Sequence, residues 1–372
     1  MEGPLLDRTP MAHVETGIAV IGAGLSGLAI ADGLARGGQD VHLFEARDRV
    51  GGRILSVPGP QGGRFDLGPA WIWPHNTRML ALAQRFGLRV HGQHATGNLV
   101  FEDQTGTIRR DLSFATMGDA LRLAGGLAAL TDALANGLDD ARLHLSHAID
   151  AIDLTGPAVR LTGTSATGPF TLTADRVVLA LPPRLAAAIA ITPDPGAAVR
   201  AALARIPTWM AGHTKLVAVY DRPFWRDSGL SGDAISHTGP LMEIHDASDA
   251  ASNTPALFGF AMPGIARKDP QVFERNARAQ LIRLFGPHAA RPAAVLIKDW
   301  STDARTATPQ DASPPPNHPA YGLPGVVRER ANDRLIFAGT EAAPQDGGFL
   351  EGALQSAEAA LAALRHPMTR TP

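Results

Sequence analysis

The chain has no cysteine among its 372 residues. That excludes disulfides, thiolate metal sites and cysteine nucleophiles. Charge of one sign is also lacking: Lys+Arg 34 against Asp+Glu 36 leaves a net charge of -2, with no basic stripe. Nucleic acid or an anionic membrane is therefore not expected as the main partner. No stretch reaches ~18 uninterrupted apolar residues, so no membrane span is expected. Met1 to Glu15 has no apolar core of signal-peptide length. The 13 histidines are dispersed, without H-E-x-x-H or ligand-like spacing, and no metal is expected. P-loop, G-x-S-x-G and internal repeats are absent as well.

What is present centres on Ile18 to Arg53. Ile18-Ala-Val-Ile21 is an apolar run of the length of a buried parallel strand. Gly22, Gly24 and Gly27 follow in G-x-G-x-x-G spacing, and Leu25 and Ser26 open a helical pattern. Gly22 allows the tight turn, Gly24 lets a pyrophosphate approach the backbone, and Gly27 lets the helix pack close to the strand. The helix N-terminus offers free N–H groups and partial positive charge. A second strand, Val41 to Phe44, ends at Glu45, which is placed to accept hydrogen bonds from ribose hydroxyls. Strand, glycines, helix, strand and acid in this order predict dinucleotide binding. Hydrophobic residues at 45% indicate an ordinary globular protein, and the length predicts two connected domains.

The continuation Glu45-Ala46-Arg47-Asp48-Arg49-Val50-Gly51-Gly52-Arg53 resembles the signature of the flavin-containing amine oxidase family. The resemblance implies FAD, with Ala46 and Arg47 near the adenosine end, Gly51 and Gly52 close to the flavin side, and Arg53 at the pyrophosphate or ribityl region. Asp66-Leu-Gly68-Pro69-Ala70-Trp71 resembles a second flavin segment, with Pro69 in place of a glycine. Pro69 removes a backbone N–H there. Trp71 falls where the family lines its substrate cavity, Trp73 is a second candidate, and Trp300 precedes a flavin-facing loop. Ile149, in a strand expected over His144–Asp153, would lie against the adenine. Thr214-Lys-Leu-Val-Ala-Val-Tyr-Asp-Arg-Pro-Phe-Trp resembles the segment whose lysine holds a water at flavin N5, and that role falls to Lys215. As a strand it puts Lys215 on one face with Val217 and Val219. Phe-Ala-Gly339-Thr340-Glu341 and Gly348-Phe349-Leu350-Glu-Gly-Ala353 resemble the closing signature. The helix from Leu350 would point its N-terminus at the flavin. Phe349 stands where a cage tyrosine is usual.

Outside these motifs, residues 1–14 read as a loose arm, Thr77 to Gly87 as a helix started near its threonine, and Asn98 to Arg110 and Ala158 to Thr173 as hairpins. Arg176 to Leu181 and Ala256 to Met262 read as strands, Gln271 to Phe285 as a helix and Thr306 to Pro319 as a loop, with no aromatic residue until Tyr321. Only about a dozen residues separate the first hairpin from Gly125-Gly126, where larger relatives carry a helical insertion, so the cover over the substrate site is shortened.

The expected fold class is α/β: a Rossmann-like FAD-binding domain, discontinuous over 14–80, 125–204 and 304–366, with an interleaved α+β substrate domain from 81–124 and 205–303. The resemblance implies oxidation of an amine C–N bond by hydride transfer to flavin N5, giving an imine and, with oxygen, hydrogen peroxide. The FAD should be non-covalent, because no cysteinyl link can form. The partners are a small-molecule amine and oxygen, and a homodimer is one way to complete the opened pocket. No strong general base is found, as suits an amine that arrives deprotonated. The membrane-anchoring tail of mitochondrial relatives is missing, so a soluble cytoplasmic protein is expected, and the Ala, Gly, Pro and Arg richness hints at a bacterial gene. Three alternatives stand beside this reading. One is a dehydrogenase or desaturase with poor oxygen use, another a flavin-binding protein without turnover. The third is an amino-acid oxidase using Arg222, Arg226 or Arg305 for the carboxylate.

Overall fold

The computed structural model describes residues 12–366, apart from positions 61, 140–141, 262, 314 and 330–332. Most of the expected arm and Met262 therefore lie outside the described residues. Two large sheets organise the chain. The first runs, in spatial order, through Ala190–Thr192, His147–Asp153, Val159–Ser165, Gly168–Leu179, Ala12–Ile21, Val41–Phe44 and Leu143–His144, with Leu335–Phe337 also on Gly168–Leu179. Its centre is parallel: Val41–Phe44, Ala12–Ile21, Gly168–Leu179 and Leu335–Phe337 all run one way. Val20, Val41 and Leu43 are fully buried on one face, under helices Leu25–Arg36, Ala128–Asn136 and Leu350–Arg365. The other face buries Ala19, Ile21 and Phe44 against the antiparallel strands Val159–Ser165 and His147–Asp153. Burial on both faces explains the unbroken apolar runs of the central strands.

Three expectations need correction. The first strand is ten residues long and begins at Ala12, so residues 12–14 are paired to Gly168–Leu179 instead of forming a loose arm. Gly168–Leu179 is one continuous strand that serves both the second hairpin and the buried parallel core. The stretch from His144 to Asp153 is broken by Ser146 at φ 57 into two strands with different partners.

Helix Thr77–Arg85 forms as expected, but its threonine does not cap it. Glu351, from the first turn of Leu350–Arg365, accepts hydrogen bonds from the backbone N–H groups of Arg78 (3.0 Å) and Met79 (3.1 Å). A carboxylate at orphan N–H groups satisfies them and complements the helix dipole, and here it joins two segments 272 residues apart.

The second sheet runs Ala294–Asp299, Thr214–Val219, Ala256–Ala261, Leu241–Asp246, Leu230–Ser236, Asn98–Glu102 and Ile108–Leu112. Side chains alternate across it. Leu216, Ala218 and Tyr220 join the core under helix Pro270–Phe285, while Val217, Val219 and Phe258 join a cluster with Phe65 and Leu67. That helix starts where Asp269 accepts from Gln271 N and Val272 N and Pro270 takes the first position; Gly286 at φ 92 follows its end. Lys215 lies on the Val217–Val219 side, as the period of 2 predicts, and that side faces the first sheet's glycine turn.

Candidate active site

A cavity of about 980 Å³ separates the glycine turn from the second sheet. This is near the upper end for ligand pockets. One end is built from backbone turns. Gly22 sits at φ +105, and a Cβ there would meet Ala180 O at 2.6 Å. A Cβ on Gly27 would lie 1.9 Å from Gly22 O, so helix Leu25–Arg36 packs directly on the turn. Gly27 is thus a packing residue and does not line the cavity. Gly24 differs: a Cβ there would meet nothing within 4 Å. The helix begins at an open cradle. Ser26 Oγ in its first turn is buried, with no hydrogen-bond partner among the described residues. Leu25 and Ser26 line this end.

Gly51 (φ +97) and Gly52 (φ +57) form a second turn laid on the first, with Gly51 N donating to Ala23 O at 2.8 Å. Glu45 is buried and holds both together: it accepts from Ala23 N and from Arg47 N, each at 2.9 Å. A carboxylate has about four acceptor positions, so capacity remains toward the cavity. Ala46 and Arg47 line the same wall, and Arg47 Nη2 donates to Asp303 (2.7 Å) and Thr306 (2.8 Å). Ile149 lines this end together with His147 and Asp150.

Arg53 also lines the cavity, and its guanidinium donates to both oxygens of Glu341, at 2.6 and 3.0 Å. Glu341 does not reach the cavity wall. It is fully buried behind Arg53 and orients that arginine. Gly339, Thr340, Phe349, Leu350 and Ala353 line the cavity around the N-terminus of the last helix.

Lys215 is 2% exposed. Its Nζ donates to Gly68 O at 3.0 Å and lies 4.0 Å from the centre of the Phe258 ring. Burial pushes its pKa from 10.5 down to about 7; Asp66 pulls it up and Arg122 pushes it down. A cation that loses hydration is penalised by burial, and the one backbone acceptor and the ring do not compensate. Gly68 is fixed as glycine because a Cβ would lie 2.0 Å from Arg53 O. Pro69, Ala70, Trp71, Trp73 and Trp300 continue this wall. Trp300 Nε1 donates to Leu67 O (2.9 Å) and Trp71 Nε1 to Gln93 Oε1 (3.0 Å), so both rings are pinned.

Two groupings escaped the sequence reading. His318 stacks on Phe349 at 4.5 Å and 6°, with Trp209 edge-on to His318 at 4.7 Å. The loop taken to lack a ring before Tyr321 thus supplies one as histidine. The second grouping is Glu243, which lines the cavity with Oε1 2.8 Å from His245 Nε2, while His245 Nδ1 lies 2.9 Å from Asp233 Oδ1. The E-x-H spacing of Glu243 and His245 on one strand was the only signal; Asp233 comes from the neighbouring strand. Of the arginines proposed for a carboxylate, Arg305 lines the cavity, whereas Arg226 pairs with Asp246 (2.8 Å) and Arg222 lies against His288 (3.1 Å).

An open glycine cradle at a helix N-terminus, an unpartnered hydroxyl beside it, an acid with spare acceptors and a second helix N-terminus at the far end suit FAD. Among the described residues no group of His, Asp and Glu could hold a metal ion, and no helix is long and apolar enough to cross a membrane.

Comparison with known proteins agrees with this geometry. AofH of Mycobacterium tuberculosis, named as a flavin-containing monoamine oxidase, is 27% identical over 449 aligned positions, covering 93% of this chain and 95% of that protein. An L-amino acid dehydrogenase of Synechocystis is 23% identical, covering 93% and 94%. The fold matches cyclohexylamine oxidase from Brevibacterium oxydans with a TM-score of 0.78 at 21% identity, over 94% of this chain and 98% of that one. A family model described as flavin containing amine oxidoreductase matches residues 25–109 and 93–364. Those spans take in the Gly51-Gly52 turn, the Lys215 strand and the last helix, and the chain belongs to the flavin-containing amine oxidoreductases, FAD-dependent enzymes that oxidise amines.

Proposed function

We propose that the protein is an amine oxidase that uses oxygen, releasing an imine and hydrogen peroxide, with Lys215 as its catalytic residue. The observation that carries this is the buried Lys215, hydrogen-bonded to Gly68 O in a wall of Phe258, Phe260 and Trp71. The chemistry that bound FAD supplies is acceptance of a hydride from the carbon beside nitrogen and its return to oxygen.

The chain's own residues do the rest. Gly24, Ser26, Glu45 and Arg47 would hold the adenosine and phosphate end, and Gly51, Gly52 and Arg53 the middle. Gly339, Thr340 and the helix N-terminus at Leu350 would hold the ring end, where partial positive charge favours an anionic flavin. Lys215 Nζ has one proton committed to Gly68 O and others available for a water in the cavity. A pKa of about 7 lets it hold or release a proton near neutrality. Trp71, Trp73, Trp300 and Phe349 would form the apolar surround of the amine and exclude water. His318 lies flat on Phe349 and would narrow the space beside that ring, while Met117 and Met242 add flexible side chains to the lining.

The test uses the holoenzyme. Amines are added without oxygen and the loss of the oxidised flavin absorbance is followed; then air is admitted and peroxide measured. Bleaching with fast, stoichiometric peroxide in the wild type, and bleaching with slow reoxidation in Lys215→Met, is the expected result. Fast reoxidation in that variant refutes the role given to Lys215, and slow reoxidation of the wild type would make the protein a dehydrogenase.

A further inference from the structure

We propose that Glu243, His245 and Asp233 form a proton-accepting line that takes a proton from the ammonium form of the substrate, so that the amine enters oxidation with its lone pair free. The inference rests on the amine oxidation proposed above.

The line runs from the cavity wall into the second sheet. His245 is fully buried and Asp233 is 1% exposed. His245 Nδ1 is 2.9 Å from Asp233 Oδ1, and Nε2 is 2.8 Å from Glu243 Oε1. Asp233 Oδ2 is engaged by Thr116 Oγ1 at 3.1 Å. Glu243 Oε2 has no hydrogen-bond partner among the described residues, and the side chain is 35% exposed, in the wall of the cavity. One end of the line is thus closed and the other open to a ligand.

Register places it opposite Lys215. Phe260 pairs with Lys215 on one side and with Glu243 on the other. Directly opposed residues of antiparallel strands share a face. Lys215, Phe260 and Glu243 therefore form one row on the cavity side, its ends about 10 Å apart at two strand spacings. In the next row Val217 pairs with Phe258, and Phe258 with His245.

The chemistry follows from the two gaps. Each ring nitrogen faces a carboxylate oxygen. A proton on Nδ1, held by Asp233, fixes the tautomer. Without a second proton the Nε2 lone pair faces a carboxylate, and that gap draws one in. On transfer the substrate N–H bond breaks and its electron pair stays on nitrogen. The proton passes to Glu243 Oε2, and the Nε2–Oε1 gap takes up the charge. No oxidant or reductant is consumed, and the proton returns to solvent from the partly exposed Glu243 as product leaves.

A lone carboxylate is a weak acceptor here, with a pKa of about 4.3 against about 10.4 for an alkylammonium. The imidazole between two carboxylates narrows that gap. Burial alone would lower the His245 pKa, but the hydrogen bonds to Asp233 and Glu243 outweigh it and raise it above the ordinary histidine value. The other groups packed on the ring bring no charge: Trp71 meets it edge-on at 4.9 Å, Phe258 lies at 5.3 Å, and Thr116 is neutral. Asp246, on the same strand, is held by Trp225 and Arg226. Lys215 stands beyond Phe260.

The test is anaerobic bleaching of the holoenzyme by one primary monoamine that bleaches the wild type, followed by stopped flow from about pH 6 to about pH 10. Glu243→Gln is compared with Glu243→Asp, and flavin content and melting temperature show that each is folded. In the wild type the limiting rate should level off well below the amine's own pKa. In Glu243→Gln it should fall about tenfold per pH unit below that pKa and rejoin the wild type near pH 10, following the fraction of free amine. Glu243→Asp should restore much of the plateau. Parallel profiles, offset by one factor at every pH, overturn the proposal and leave amine oxidation standing; so does an effect confined to KM for substrates with a second positive charge. A wild type that no amine bleaches removes the amine reading and the line with it.

Discussion

Lys215→Met gives the sharpest physical test of the buried lysine. In the unfolded chain a lysine keeps its proton up to about 10.4, whereas in the fold the Lys215 pKa falls to about 7. Between these values the native state binds fewer protons than the unfolded state, so stability rises with pH. Below about pH 7 both states are protonated and the full penalty stands. Each pH unit is worth about 1.4 kcal/mol, and the window gives ~5 kcal/mol. Methionine removes that penalty and keeps the length of the chain. It also strips the Gly68 carbonyl of its 3.0 Å hydrogen bond, at ~1–3 kcal/mol for a buried acceptor. The variant should therefore be more stable than the wild type by ~2–4 kcal/mol at pH 7, and less stable by ~1–3 kcal/mol near pH 10. Urea denaturation of flavin-saturated protein at matched ionic strength measures both. Titrating groups that do not face Lys215 cancel in the difference; Asp66 does face it, so the crossing belongs to Lys215 together with its coupling to Asp66. A difference that stays constant over the whole range would refute the argument, because it would mean that Lys215 titrates alike in both states.

Three further outcomes are expected. Gly24→Ala should fold with unchanged melting temperature without flavin yet bind FAD much more weakly, because its Cβ enters open cradle, whereas Gly27→Ala should fail to fold, its Cβ lying 1.9 Å from Gly22 O; expression, melting and flavin titration separate the two. Arg53→Met leaves the fully buried Glu341 without its bidentate partner and should cost ~3–5 kcal/mol, and adding Glu341→Gln should recover part of the loss in urea denaturation. His318→Ala removes the ring stacked 4.5 Å from Phe349, a contact worth ~0.5–1.5 kcal/mol, and should raise kcat/KM for bulky amines more than for small ones, which steady-state kinetics would read.

The cofactor side of the cavity was legible because its constraints are local. Gly22, Gly24 and Gly27 act within one turn, and their spacing states the geometry that the structure repeats. Lys215 was legible because strand alternation needs only Val217 and Val219. Glu243, His245 and Asp233 were not. The segment Leu241–Asp246 carries no motif, and its place in the cavity wall depends on a strand order in which Ala256–Ala261 lies between it and the Lys215 strand. No spacing in the sequence encodes that order. The cap on helix Thr77–Arg85 escaped for the same reason: Glu351 comes from the other end of the chain. His318 was missed because only Phe, Tyr and Trp were counted as rings, and Glu341 was placed too close to the cofactor because its motif names the segment but not which side chains face inward.

The two walls differ in kind, and this decides where specificity can change. The wall proposed for FAD is mostly backbone: glycine turns, helix N-termini and a few acids and arginines tied to one another. It tolerates little, since a Cβ at Gly22, Gly27 or Gly68 would fall within 2.6 Å of a carbonyl oxygen. The wall proposed for the amine is made of side chains: Trp71, Trp73, Trp300 and Phe349, and beside them a row on a paired antiparallel sheet, whose backbone is indifferent to what projects from it. Lys215, Phe260 and Glu243 occupy successive strands in one row, so each can vary without moving the next. Phe260 also keeps the lysine and the glutamate from forming an ion pair. Direct pairing would favour the charged lysine and raise its pKa, and a lysine held charged could not exchange a proton near neutrality. The aromatic spacer therefore keeps apart two groups in one cavity, a lysine pushed down by burial and, behind Glu243, a histidine pushed up by the carboxylates on either side of it.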